Sequence, residues 1–96
     1  MDKKKPIILI EYCTQCNWLL RAAWYAQELL TTFQDCLGGV TLVPATGGVF
    51  KIHVEDKTIW DRTQNGGFPD IKELKQKIRD EVASGKDLGH TDRHAI

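Results

Sequence analysis

Thirteen basic and 13 acidic side chains in 96 residues leave no net charge, so there is no broad basic field to hold nucleic acid. The length fits one domain, and 42% hydrophobic with 27% charged residues is ordinary for a globular one. No stretch approaches the ~20 apolar residues of a membrane span, and Ile7–Ile10 is too short for a signal-peptide core. A cytoplasmic protein with no nucleic-acid and no membrane partner is therefore expected.

Lys3, Lys4 and Lys5 read as a solvated basic end. Residues 6–12 then predict a strand, nearly continuous in apolar and β-branched side chains, which implies burial on both faces. The motif Cys13-Thr14-Gln15-Cys16 follows directly. Residues 16–35 predict a helix with an apolar stripe of Leu19, Leu20, Ala23, Ala26, Leu30 and Phe33. Trp24 and Tyr25 read as core and flank, and Gly38-Gly39 as the stop.

Residues 40–45 predict a second strand with Pro44 near its end or at an edge, and Thr46-Gly47-Gly48 a turn. Residues 49–54 and 57–61 predict a hairpin around Glu55-Asp56. Arg62 to Phe68 reads as a loop. Asp70, with Glu73 three residues on, is a capping-box pattern for a last helix carrying Ile71, Leu74, Ile78 and Val82 on one face. Glu73 and Lys77 add a favourable i, i+4 pair, and Ser84-Gly85 closes the helix. One domain over residues 1–85 and a flexible tail over 86–96 are expected.

The order β-α-β-β-β-α requires a right-handed crossover that makes the first two strands parallel, with the hairpin extending the sheet antiparallel. This is an α/β fold, an α+β sandwich of a four-stranded mixed sheet and two helices. It is similar to the thioredoxin layout in its smallest form.

A strand that delivers Cys-x-x-Cys to a helix start is the arrangement of thiol–disulfide chemistry. One thiol attacks a disulfide and the other resolves the mixed disulfide, while the helix terminus favours the thiolate. Cytoplasmic reducing conditions and an odd count of three cysteines argue against a permanent bridge. Structural zinc takes four ligands, but there is no second Cys-x-x-Cys, and Cys36, His53, His90 and His94 are scattered; no metal is expected. Cys36 stands roughly five turns beyond Cys16, at ~5.4 Å per turn, too far to pair with it. It reads as a bystander or as a site of capping by glutathione.

Around the motif, Thr14 and Gln15 lie within the loop. Trp18 is either a docking aromatic or a packing lid. Gly47 and Gly48 allow close approach of a partner's backbone or thiol. Gly66, Gly67 and Phe68, before Pro69, form either a lip beside the motif or a plain loop.

The segments Ile10-Glu11-Tyr12-Cys13-Thr14-Gln15-Cys16, Gly47-Gly48-Val49-Phe50-Lys51-Ile52 and Gly66-Gly67-Phe68-Pro69-Asp70 together resemble the selenoprotein W/T/H (Rdx) family, over residues 7–83. The resemblance implies a redox centre at Cys13 and Cys16, a thioredoxin-like fold, and linkage to glutathione or to a thiol-containing protein. Many members carry selenocysteine at the second motif position, here Cys16, which implies slower chemistry and a less acidic group. Thioredoxin-type reasoning makes the first cysteine the attacker because it is the more accessible; the selenocysteine position points to the second. The expectation rests on Cys13. Where thioredoxins place a proline before the third strand, this chain has Thr46-Gly47-Gly48.

The function expected is a thiol–disulfide redox protein cycling between a dithiol and a Cys13–Cys16 disulfide, without a cofactor and with glutathione as a candidate reductant. The alternative is a redox-sensing interaction module without turnover, and a metal-binding protein stands third.

Overall fold

Strand β1 (Ile7–Cys13) lies inside the sheet because both of its edges are paired. It runs parallel to β2 (Gly39–Ala45) and antiparallel to β3 (Phe50–Val54), which pairs in turn with β4 (Lys57–Asp61). The spatial order is β2-β1-β3-β4, a mixed four-stranded sheet as expected. Helices α1 (Leu19–Thr32), α2 (Arg62–Asn65) and α3 (Ile71–Val82) complete the fold. The computed structural model describes residues 5–83 and Leu88. Ser84-Gly85, the expected tail over 86–96 apart from Leu88, and His90 and His94 lie outside the described residues.

The core forms on one face of the sheet. Ile8, Ile10 and Tyr12 of β1 and Phe50, Ile52 and Val54 of β3 point to that side, where Tyr25, Leu29 and Phe33 meet Leu74 and Ile78 of α3. Lys75 Nζ donates to Glu28 Oε1 at 3.0 Å and ties α3 to α1. With α1 and α3 packed into one cluster, the opposite side of β1 carries Ile7, Leu9 and Glu11, none of them buried. The expected burial of both faces of β1 is thus corrected: β-branched content marks a strand more surely than it marks two covered faces. On the open side a cross-strand row has formed, with His53 between Glu11 Oε1 at 2.7 Å and Thr58 Oγ1 at 2.9 Å. The register shifts between Ile52–Trp60 and His53–Thr58. This bulge lets Trp60 face the core while Thr58 stays on the open face.

Three readings of the helices change. First, α1 is shorter than residues 16–35: residues 14–17 form a turn before it, and it closes at Phe33, whose N–H reaches Leu29 O at 2.9 Å. Leu37 then turns back into the core and Gly38 passes Lys5, where a Cβ would stand 2.8 Å from the carbonyl oxygen. Second, the buried stripe is Ala22, Tyr25, Ala26, Leu29 and Phe33, while Leu19, Leu20, Trp24 and Leu30 are exposed. Both stripes have helical spacing; the true one is selected by Tyr25, whose hydroxyl has a partner across the core. Third, the segment after β4 opens with α2. Asp61 accepts from Thr63 N–H at 3.0 Å, Asn65 Oδ1 accepts from Asp61 N–H at 2.9 Å, and Gly66 ends the turn at φ 81°. Four residues are too few to show periodicity.

The other elements fall where expected. Asp70 caps α3 by accepting from Lys72 N–H at 3.0 Å, and Glu73 sits in the first turn.

Candidate redox site

β1 ends on Cys13, opposite Ala45 at the end of β2. The carbonyl of Ala45 accepts from Thr14 N–H at 3.0 Å and from Thr14 Oγ1 at 3.3 Å, which pins the first motif residue after the strand. Asn17 N–H reaches Thr14 O at 3.0 Å and Trp18 N–H reaches Cys13 O at 3.3 Å, closing the chain into a tight loop. Asn17 takes φ 62°, a left-handed conformation that Asn tolerates better than most residues. Cys13 and Cys16 face each other across this loop, their Sγ atoms at disulfide distance and their Cα atoms 5.4 Å apart.

The exposure of the two sulfur-bearing residues is the reverse of the order expected. Cys13 is 1% exposed and Cys16 is half-buried. The strand end carries Cys13 beneath the sheet margin, whereas Cys16 stands on the outer arm of the turn. The helix also begins later than expected: Trp18 is its cap residue, so Cys16 precedes the cap by two positions rather than lying in the first turn. The helix terminus itself has no side-chain cap and no acidic residue in its first turn.

Trp18 is packed. Its ring meets Phe68 edge-on with centroids 4.9 Å apart and Phe50 at 6.2 Å, while Phe68 and Phe50 are 5.0 Å apart. Phe68 is therefore packed against Trp18, the residue two positions after the motif. Two guanidinium groups cover this aromatic trio: Arg21 lies 3.9 Å from the Phe68 centroid and Arg62 lies 5.0 Å from that of Trp18. Arg62 also donates from Nε and Nη2 to Gly48 O at 3.3 and 3.2 Å. Gly47 and Gly48, both left-handed at φ 73° and 75°, are thereby held beside Trp18. Gly67 is fixed from its other side, its carbonyl accepting from Trp60 Nε1 at 2.8 Å. Gly66 serves as the left-handed end of α2, and Gln15 is exposed.

Beneath the trio, Tyr25 donates to Pro69 O at 2.6 Å. Burial raises the Tyr25 hydroxyl above its ordinary value of 10.0, a shift partly offset by a hydrogen bond from Arg21. This bond fixes where the chain enters α3, and with it Phe68.

The chain matches the model of the Rdx family over residues 7–80. It belongs to that family. It is similar over 80% of its length to 98% of a solved chain from Bordetella parapertussis, with 62% identity and a TM-score of 0.79. A solved selenoprotein W-related protein from Vibrio cholerae matches at 52% identity and a TM-score of 0.79, over 81% of this chain and 98% of that one. Migration and invasion enhancer 1 of Mus musculus is 31% identical over 74 residues, 75% of this chain and 61% of that protein. The Bos taurus protein of the same name matches to the same extent. The chain thus spans about three fifths of the length of these two mammalian relatives. The thioredoxin-like architecture of this Rdx chain agrees with its solved neighbours.

Sequence reasoning missed Asn17, Leu20, Arg21, Trp24 and Arg62. Asn17, Leu20 and Arg21, with Trp18 and Trp24, line a groove of about 350 Å³ that begins next to Cys16. Tyr12, Thr14, Asn17, Leu19 and Leu20 line another of about 400 Å³ that shares Asn17 and Leu20 with the first. A leucine placed in the wrong stripe was the one signal available: Leu20 is 83% exposed.

Proposed function

We propose that this Rdx chain is a thiol–disulfide redox protein of the cytoplasm in which Cys16 attacks and Cys13 resolves. The observation that carries the assignment is the difference in exposure within one pair at bonding distance. Attack on a protein disulfide needs an in-line approach to the sulfur, and only Cys16 offers access. Cys13, shielded from solvent, has one reaction partner within reach, the sulfur of Cys16.

The cycle balances as follows. The Cys16 thiolate displaces one sulfur of a target disulfide, which leaves as a thiolate and takes up a proton. Cys13, having lost its proton, attacks the Cys16 sulfur and releases the second target thiol. Two electrons and two protons pass to the target, and the chain is left with a Cys13–Cys16 disulfide. Two equivalents of a monothiol such as glutathione, or one of a dithiol protein, restore it. No cofactor takes part.

Trapping tests the assignment. Cys13→Ser should accumulate mixed disulfides with targets, and Cys16→Ser should not. The reverse pattern moves the attack to Cys13. If neither variant is captured and the wild type loses no free thiols on mild oxidation, the redox reading fails. Turnover of glutathione disulfide or insulin separates an oxidoreductase from a sensor that captures partners without turnover.

A further inference from the structure

The two grooves beside the Cys13–Cys16 loop share Asn17 and Leu20, so one ridge separates them. Asn17 follows Cys16 directly, which places both grooves within one residue of the attacking sulfur. The surface is apolar where a helix normally meets water: Leu19 is 49%, Leu20 83% and Trp24 47% exposed. Leu20 and Trp24 are one helical turn apart and lie on the same side of α1. A protein joined to Cys16 through sulfur must cover this ridge.

The charges here have one sign. Arg21 lines the first groove, and Arg62 stands over Trp18 at its border. Among the described residues no carboxylate lines either groove. The acids on the adjoining segments, Asp61 and Asp70, are engaged as helix caps by the N–H groups of Thr63 and Lys72. Among the described residues Arg21 has no carboxylate partner; its contacts are the Phe68 ring and Tyr25. A second copy pairing through the same face would bring apolar side chains but, among the described lining residues, no carboxylate for Arg21. A monothiol such as glutathione carries carboxylates but no large apolar side chain to seat against Leu20 and Trp24.

We infer that this face docks the cysteine-bearing segment of a target protein, one in which the cysteine is neighboured by a large apolar side chain and an acidic side chain. The apolar group seats against Leu20 and Trp24, and the carboxylate pairs with Arg21. The inference names the substrate class of the redox centre proposed above and rests on that proposal.

Labelled peptides test it in two arms. In the first, a peptide with serine in place of cysteine is titrated by fluorescence anisotropy, which requires no chemistry. The peptide with Leu and Glu beside the serine should bind at least about tenfold tighter than one with Ser and Lys there, as burial of one leucine predicts. Leu20→Ser with Trp24→Ser should erase the preference, and Arg21→Glu should reverse the order of the Glu and Lys peptides. Both changes are at exposed positions, and circular dichroism verifies the fold. Equal binding of all peptides overturns the inference. So does a wild-type dimer that Leu20→Ser dissociates, since a second copy then owns the face.

In the second arm, the Cys13→Ser variant reacts with the cysteine forms of these peptides, supplied as mixed disulfides, and with hydroxyethyl disulfide. A rate ratio that favours the Leu-Glu peptide and falls about tenfold with Leu20→Ser supports the inference. A ratio that does not depend on the peptide refutes it. Absence of reaction with every disulfide removes the redox proposal, while the serine peptides still decide the docking.

Discussion

Replacing Tyr25 by phenylalanine removes one hydroxyl from a side chain that is 3% exposed and leaves the ring in place. The lost bond, 2.6 Å to Pro69 O, is the one that sets the start of α3 and the position of Phe68. A net hydrogen bond contributes about 1 kcal/mol, and stranding a buried acceptor costs about 1–3 kcal/mol, so the change should destabilise by about 2 kcal/mol. In a domain of this size about 1 kcal/mol moves Tm by roughly 4–8 °C, which puts the expected fall near 8–16 °C. Urea unfolding and thermal melting measure both. The pH dependence is a second check with a fixed sign. Burial raises the hydroxyl's folded-state value above its unfolded one, so its contribution is fully present below pH 10 and is lost as pH rises through the folded value. The gap between wild type and Tyr25→Phe should therefore narrow above about pH 10, by at most about 1.4 kcal/mol per unit. A cost below about 0.5 kcal/mol at neutral pH, or a gap that widens in alkali, would refute the reasoning.

Asp70→Ala removes the cap of α3 and should cost about 1 kcal/mol in urea unfolding. Trp60→Phe frees the Gly67 carbonyl; a loss of about 1–2 kcal/mol is expected, with faster amide exchange at residues 66–68. Ile52, wholly buried in the central antiparallel pair, should lose about 2–5 kcal/mol as Ile52→Ala, read from denaturation with an unchanged slope. Glu11→Gln, on the open face of the sheet, should change stability by no more than about 1 kcal/mol, with half-buried His53 as its partner.

Much of the fold was legible because local signals agreed with one another. The apolar run 7–10, the Glu55-Asp56 connection and the Asp70/Glu73 cap each identified an element within one residue of its observed place. The motif residues Cys13 and Cys16 were legible too, since a strand end followed by a turn brings them together. What the sequence concealed depended on tertiary partners. Periodicity admits two phases for α1, and core burial of Ala22, Tyr25, Ala26 and Leu29, together with the Tyr25–Pro69 bond between residues 44 apart, selects one. The accessibility of the two cysteines was misjudged because it depends on the depth of the β1 end, which no local pattern encodes. Arg62 belonged to an unremarkable polar stretch until the fold placed Gly48 and Trp18 beside it.

The motif loop is anchored at both ends by groups that do not take part in sulfur chemistry. Ala45 O holds Thr14, and the Trp18 carbonyl already accepts the Ala22 N–H of α1 at 2.9 Å. Of the two sulfurs, one belongs to the last residue of β1 and the other to the turn between those moorings. A bond between them therefore ties the turn to a strand end that is itself paired with Ala45 in the sheet.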